Sequence, residues 1–510
     1  LGRRGLLVQP YKKGPDYIDP MWLGAAAGRP CRNLDPYLCD AAELRRYYAA
    51  HLAGADAELV EGNKGLHDGM SLDGSDSSAA LAAVLDLPVL LVLDARGQTR
   101  GIAPLLLGLQ RFEPCARIAG VVLNRVAGAR HESKLRAAIE HYTDVTVIGA
   151  LPETGDAFVS ERHLGLIPFN EAHAARARIE GLADAVDAGL ALDARLAIPT
   201  TEAARSSSEP KVGAAFPAAA RPRPRRAPVR LGIARDRAFG FYYADDLEAL
   251  EAAGATLVPF DTLADDALPP VDALFIGGGF PEVLAPELEA NASMRASIRA
   301  AVEAGMPVYA ECGGLMYLAR SIRWRGRSYA MVGALPVDVR MHRKPVGRGH
   351  VRLRETADFP WQALAAAGAE RGPSGPASAR AEAPEPASER DGAPERRGHE
   401  LHYSSLHAID GSVRFGYRVL RGHGVDGQHD GIVWRNVFAS YAHLRSVGDC
   451  DWPRRFVGFA AAAVRARHGV APGEHASGPQ RPSSRGLDAL QAPGPGLVPG
   501  NEIEAMRCRA

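Results

Sequence analysis

"PVYAECGGLMYL", residues 307–318, carries an apolar stretch straight into Glu311-Cys312-Gly313-Gly314 and then into a second apolar stretch. The first part reads as a buried strand and the last as a helix. A residue at such a strand-to-helix turn is held exposed, and glycines beside it let backbone N–H groups point at a substrate oxygen. Cys312 is therefore a candidate nucleophile at the carboxyl end of a strand, where open α/β sheets bind their ligands. The competing reading is a buried cysteine acting as a small hydrophobe; the Gly-Gly pair favours chemistry.

Working outward, the same strand-then-helix rhythm recurs along the chain. Residues 229–235, 255–260 and 272–280 read as further strands, 245–254 as a helix ending at glycine, and 328–341 and 436–444 as later strands. Before them, residues 5–10, 57–62, 88–95, 118–126 and 145–152 read as strands, with helical patterns at 40–54 and 77–85. Alternation of this kind predicts an α/β fold with a parallel sheet covered on both faces. The expected organisation is a first domain over 1–195, a Pro/Ala/Ser/Arg-rich linker over 196–228, and a second domain over 229–466. A low-complexity insertion is expected at 365–398 and a disordered tail at 467–510.

A chain of 510 residues is too long for one ordinary core. Its 60 basic and 60 acidic residues balance, so no global field favours nucleic acid or an anionic membrane. Apolar runs fall short of a membrane span, and the first residues lack the pattern of a secretory signal. Scattered cysteines without C-x-x-C spacing fit a reducing setting, so a cytoplasmic protein is expected, with a homodimer as a candidate assembly. Among the basic residues 54 are Arg and only 6 are Lys, yet Lys12, Lys13 and Lys64 fall in two short glycine-containing stretches. Lysine is the compact charge that meets a phosphate.

A cysteine nucleophile needs a base. His443, just beyond the apolar "NVFAS" strand, is a candidate, with His399 and His402 of "GHELHYS" as rivals. "FIGGGFPE" (275–282) offers Gly278 and Gly279, beside Gly313, as backbone donors to an oxyanion; a mere tight turn is the plainer reading. In the first domain Asp16, Asp19, Glu61 and Asp68 sit at expected strand ends, a set of oxygens suited to Mg²⁺ if they are not simply solvated turn charges. Lys12, Lys13 and Lys64 are then placed to hold phosphates, and Asn124 in "GVVLNRV" to read a purine edge.

Taken in order, "KKGPDYIDP", "GRPCRNLD", "EGNKGLHDG", "VVLNRV", "ERHLGLIP", "AFGFYYADDLEALEAAGA", "GGGFPE", "AECGGLMYL", "GHELHYS" and "ASYAHL" resemble the glutamine-dependent a,c-diamide synthases of tetrapyrrole biosynthesis. These are the cobyrinic acid a,c-diamide synthase family and its siroheme-directed relatives, and the resemblance covers about residues 5–455. It implies an N-terminal P-loop NTPase domain similar to dethiobiotin synthetase, which activates a carboxylate with ATP and Mg²⁺, and a C-terminal class I glutamine amidotransferase-like domain. L-Glutamine is then the ammonia donor and a tetrapyrrole the acceptor. Asp16, Tyr17, Asp19, Glu61 and Asp68 match synthetase and substrate positions, Asp16 and Glu61 among them for the metal. Cys312 matches the amidotransferase nucleophile and His443 the histidine that activates it.

Two departures accompany the match. No G-x-x-x-x-G-K-[ST] occurs in the chain and residue 1 is Leu, which suggests an N-terminus lacking its phosphate-binding loop. Arg445 stands where relatives often carry a second histidine. The acceptor is open between a corrinoid and siroheme. A glutaminase-only or non-catalytic tetrapyrrole-binding remnant and a hydrolase-like cysteine enzyme are the competing classes.

Overall fold

The protein is seen in a computed structural model that describes residues 1–113, 116–153, 165–191, 228–361 and 393–467, with backbone alone at Glu161–Arg162. The linker 196–228 and the tail 467–510 lie outside the described residues except for Pro228 and Arg467. Leu1–Val464 form one contact unit; Arg465–Ala510 form another, of which residues 465–467 are described.

In the first half, β1 (Val8–Lys13) lies between β2 (Arg32–Leu34) and β3 (Ala57–Glu61), all parallel. A second parallel sheet runs β4 (Val89–Asp94), β5 (Ile118–Val126), β6 (Val147–Pro152). Helices α1 (Ile18–Ala27), α2 (Ala41–His51), α3 (Ser78–Leu85), α4 (Ile102–Phe112), α5 (Ala129–Tyr142) and α6 (Ala175–Gly189) connect and cover them, with a short hairpin β7 (Glu161–Arg162) and β8 (Gly165–Leu166) before α6. Local chemistry starts the helices where expected. Asp40 and Glu43 close a capping box on α2, and the Ser77 hydroxyl accepts the Ala80 amide at the head of α3.

The sequence predicts one sheet here, and the structure has two. Crossover helix α3 joins β3 to β4, but these two strands face each other across a cleft of about 660 Å³ instead of hydrogen bonding. Their apolar residues Leu59 and Val92 remain 41% and 59% exposed as a result. Strand β2 escapes a pattern reading because three residues, Arg-Asn-Leu, carry no alternation; pairing with buried β1 makes it a strand.

The second half is built on a nine-stranded sheet. Its strands are β9 (Val229–Ala234), β11 (Ala255–Phe260), β12 (Ala273–Ile276), β14 (Val308–Glu311), β18 (Gly347–Glu355), β19 (Glu395–His402), β21 (Arg414–Arg421), β22 (His429–Trp434) and β23 (Val437–Ser440). The order is β11-β9-β12-β14-β23-β22-β21-β18-β19, parallel as far as β23 and antiparallel beyond. A ribbon pairs β10 (Phe239–Phe241) with β13 (Gly278–Gly279), and a four-stranded sheet holds β15 (Ser321–Trp324), β16 (Arg327–Ala330), β17 (Asp338–Met341) and β20 (Ser404–His407). Helices are α7 (Ala244–Ala252), α8 (Ala285–Ala290), α9 (Ala292–Glu303), α10 (Gly313–Leu318) and α11 (Trp452–Arg467).

Tyr309, Phe275, Phe438, Trp361, Trp452 and Phe456 pack on one face of this sheet. Tyr309 stacks on Phe275 at 5.2 Å, and Trp452 meets both rings, so β14 is clamped from below while its carboxyl end stays free for chemistry. The expected insertion 365–398 needs correction at its end. Glu395–Gly398 belong to β19, where pairing with β18 overrides the low-complexity composition; residues 362–392 lie outside the described set.

Candidate active site

Strand β14 is buried at all four positions and ends in Glu311, after which Cys312 takes φ 47° and ψ −99° before α10 begins. Positive φ in a non-glycine residue is strained and persists only where the surroundings impose it. Here glycines allow the fit. A Cβ at Gly314 would collide with the Ile276 carbonyl oxygen, and one at Gly313 would lie 2.9 Å from Gly279 N. Cys312 Sγ sits 3.8 Å from the Leu401 carbonyl oxygen. Gly279 lines the same cavity as Cys312, and Gly313 opens α10, whose first amides have no acceptor within the helix. A Cβ at Gly278 would stand 2.7 Å from His443 Cε1, so glycine there makes room for the ring.

Among the three candidate bases, the structure separates roles by contact. His443 Nδ1 lies 3.2 Å from Glu311 Oε2, and both side chains are buried. Burial opposes charge on this imidazole, but hydrogen bonds to Cys312 and Glu311, and their charges, outweigh it and lift the pKa to about 10. With Nδ1 taken by Glu311, the bond to Cys312 falls to Nε2. His399 stacks on His443 at 4.8 Å, with its Nδ1 3.3 Å from the Tyr243 hydroxyl. Burial, then the charge of His443, drives the His399 pKa well down, so this ring is neutral. His402 donates from Nδ1 to Ser404 O and stacks on Tyr441 at 3.8 Å, forming cavity wall.

Tyr17 is placed otherwise than among phosphates and metal. Its ring stacks on Phe241 at 5.3 Å and lies 5.2 Å from His443 and 4.4 Å from Tyr243. It thus roofs the cysteine centre from the first half of the chain. The neighbouring carboxylates do gather. Lys12 Nζ is 2.7 Å from Asp19, 3.4 Å from Glu61 and 3.2 Å from Gly62 O, so this lysine ties carboxylates together instead of facing phosphates.

Asp16 accepts the amides of Ile18 and Asp19, and burial, then the charge of Asp19, pushes its pKa up to about 6. Glu61 is raised by burial, although Lys12 opposes this. Among the described residues no three His, Cys, Asp or Glu side chains converge as a ready metal cage. Asp16, Asp19 and Glu61 nevertheless outnumber Lys12, and hard oxygens short of a counter-charge fit Mg²⁺, which needs few protein ligands when it arrives with phosphate.

Asp68 accepts the Gly65 amide and lines the cavity, as do Lys13 and Lys64; Lys64 also borders the cleft between β3 and β4. Burial lowers the Lys13 pKa against the pull of Asp76 and Asp35. Asn124 stands apart: its side-chain oxygen accepts the Arg125 amide, and it borders neither cavity.

One cavity of about 540 Å³ is lined by Cys312, His443 and Gly279 together with Asp16, Tyr17, Lys64 and Asp68. The two halves of the chain are fixed around it. Arg32 makes a two-pronged contact with Glu248 at 2.9 and 2.6 Å, Tyr47 donates to Asp245 at 2.9 Å, and His350 Nε2 lies 3.1 Å from Asp35. Pattern reading missed Glu311, although its place beside the nucleophile in "AECGG" was a usable signal. Phe241 and Tyr243 fall in the stretch "AFGFYYADDLEALEAAGA", but their place beside Tyr17 and His399 is given by packing alone.

Residues 230–448 match the family model of the CobB/CobQ-like glutamine amidotransferase domain, and residues 39–157 match that of an AAA domain. The cobyrinate a,c-diamide synthase of Magnetococcus marinus is 42% identical over 461 residues, spanning 89% of this chain and 90% of that protein. That of Methanosarcina acetivorans is 38% identical over 467 residues, 87% of each chain. That of Methanothermobacter thermautotrophicus is 36% identical over 442 residues, 86% of this chain and 90% of its own. Among the described residues no helix is long and apolar enough to cross a membrane.

Proposed function

Because the chain belongs to the cobyrinate a,c-diamide synthase family of glutamine-dependent ligases, we propose that it amidates the a and c acetate carboxylates of cobyrinic acid with ammonia from glutamine, consuming ATP. Its first half is of the nucleotide-binding P-loop-like class and its second half is a glutamine amidotransferase domain. The observation that carries the reading is the single cavity shared by Cys312 and the Asp16, Lys64 and Asp68 side chains.

At the glutaminase end, the Cys312 proton rests on His443 Nε2, and Sγ attacks the side-chain amide carbon of glutamine as the thiolate. The amides of Gly279 and Gly313 face the oxyanion. His443 then protonates the leaving nitrogen, so ammonia departs and a γ-glutamyl thioester remains. Water attacks the thioester as His443 takes its proton, releasing glutamate and restoring the thiol. At the other end, the acceptor carboxylate becomes an acyl phosphate by attack on the terminal phosphate of ATP, and ammonia displaces phosphate from it. Asp16 and Glu61, with Asp19, would hold Mg²⁺, which neutralises phosphate charge when bound. Lys64 and Lys13 supply positive charge along the cavity wall. Because both ends line one cavity, with Tyr17 beside His443, ammonia released at Cys312 has a short path to the acceptor side.

The test incubates the full chain with glutamine, ATP, Mg²⁺ and cobyrinic acid, or siroheme in a parallel arm, and reads product mass. Two amides on cobyrinic acid are expected. Amidation of siroheme alone moves the acceptor to that tetrapyrrole, and amides on neither, or glutamate release without amide, refute the ligase reading for this chain. Cys312→Ala is expected to lose glutamine-driven but keep ammonium-driven amidation; glutamine turnover that persists in it refutes the assignment of Cys312.

A further inference from the structure

The base of the glutaminase centre is oriented by a carboxylate from the nucleophile's own strand. Glu311 is the last residue of β14, and the register of this strand on β23 sets Glu311 beside Ser440. The chain leaving β23 then turns back over it, bringing His443 Nδ1 to 3.2 Å from Glu311 Oε2 and the Leu444 amide to 3.1 Å from Oε1. The Tyr309 hydroxyl donates to the same Oε1 at 2.6 Å. Glu311 is 2% exposed and His443 3% exposed. A carboxylate is stable at such depth only when its oxygens are satisfied, and here both are occupied.

We propose that Glu311 is the positioning residue of this centre: it fixes the Nδ1–H form of His443, aims Nε2 at Cys312, and stabilises the imidazolium formed when Cys312 gives up its proton. The proton from Sγ rests on Nε2, and Nδ1 keeps its own, so Glu311 stays ionised throughout. Among the described residues no other carboxylate contacts His443. Asp430 is occupied by the Ser440 hydroxyl and the Tyr441 and Ala442 amides, Asp246 accepts the Ser446 amide, and Arg445, two residues past His443, turns away to Asp245. The groups facing His443 are Cys312, Glu311, the neutral His399 and Tyr17. Those facing Glu311 are Tyr309, His443 and, through space, Asp246, Tyr17 and Tyr242. The proposal rests on the glutamine-hydrolysing part of the function proposed above and not on the acceptor.

The test compares the parent with isosteric E311Q and charge-conserving E311D. Glutamate release is read against pH in the complete reaction mixture. Alkylation of Cys312 by iodoacetamide near neutrality, blanked with C312A, needs no acceptor. E311Q is expected to slow glutamate release roughly 10²-fold and to slow alkylation in parallel. Its alkaline break, set in the parent by His443 at about 10, should move down toward the ordinary imidazole range of about 6.5. E311D, whatever it loses in rate, should hold its break near the parent's, because the charge remains. An E311Q profile superimposed on the parent's overturns the proposal, and so does an E311D break displaced as far as that of E311Q, which would make the effect one of packing. A parent that neither releases glutamate nor alkylates at Cys312 would instead refute the glutaminase reading itself.

Discussion

Replacing Arg445 with Met should expose how the base-bearing segment is anchored. Arg445 is 2% exposed, its Nε is 2.8 Å from Asp245 Oδ2, and its guanidinium lies between the rings of Tyr47 at 5.1 Å and Tyr243 at 5.3 Å. Methionine fills similar space without charge and leaves the half-buried Asp245 with the Tyr47 hydroxyl as its remaining close donor. Breaking one side of a buried ion pair costs about 3–5 kcal/mol. Against that, Arg445 Nη1 and Nη2 already lack hydrogen-bond acceptors, a defect of about 1–3 kcal/mol that methionine removes. The net loss expected for R445M is thus about 2 kcal/mol, read as a lower urea midpoint by tryptophan fluorescence, which Trp452 reports from the same half. The double variant R445M/D245N removes the stranded charge and should recover about 1–2 kcal/mol of it. The reasoning fails if R445M unfolds at the parent's urea concentration, or if the double variant is no more stable than R445M. Because His443 lies two residues earlier, R445M should also slow glutamine hydrolysis while sparing ammonium-driven amidation.

Asp16 offers a pH-dependent test. Its folded pKa of about 6 exceeds the ordinary value, so the fold favours the protonated form, and the stability this residue allows is lost as pH rises through that value. D16N should therefore be more stable than the parent by about 3 kcal/mol at pH 7, with the gap closing by about pH 4; equal denaturation midpoints at both pH values would contradict this. Gly279→Ala drives a Cβ into the Ala238 carbonyl oxygen, so β13 must shift and carry an oxyanion amide with it. Glutaminase kcat should fall about 10²–10³-fold, and unchanged turnover would remove Gly279 from the oxyanion site. Tyr17→Leu deletes the ring beside His443, worth about 0.5–1.5 kcal/mol. It should lower glutamine-driven but not ammonium-driven amidation; equal loss of both would return Tyr17 to the acceptor side.

Local patterns determined much of this protein from sequence alone. The apolar run at residues 88–95 became β4 (Val89–Asp94), the helical pattern at 77–85 became α3, and the strand–Cys–Gly–Gly–helix stretch placed Cys312 at a strained turn. These depend on neighbours within a few residues, which periodicity and glycine placement record directly. Tertiary structure alone decided which histidine serves the cysteine. His399 and His443 exchange backbone hydrogen bonds and stack together, and the contacts of His443 with Cys312 and with Glu311, 132 residues away, raise its pKa while burial and the charge of His443 lower that of His399. It alone turned Tyr17 toward the glutaminase centre and drew Lys12 into a carboxylate cluster. The reason is physical. Burial and partner distance set the charge and direction of a polar side chain, and both are properties of segments that meet only when the chain has folded.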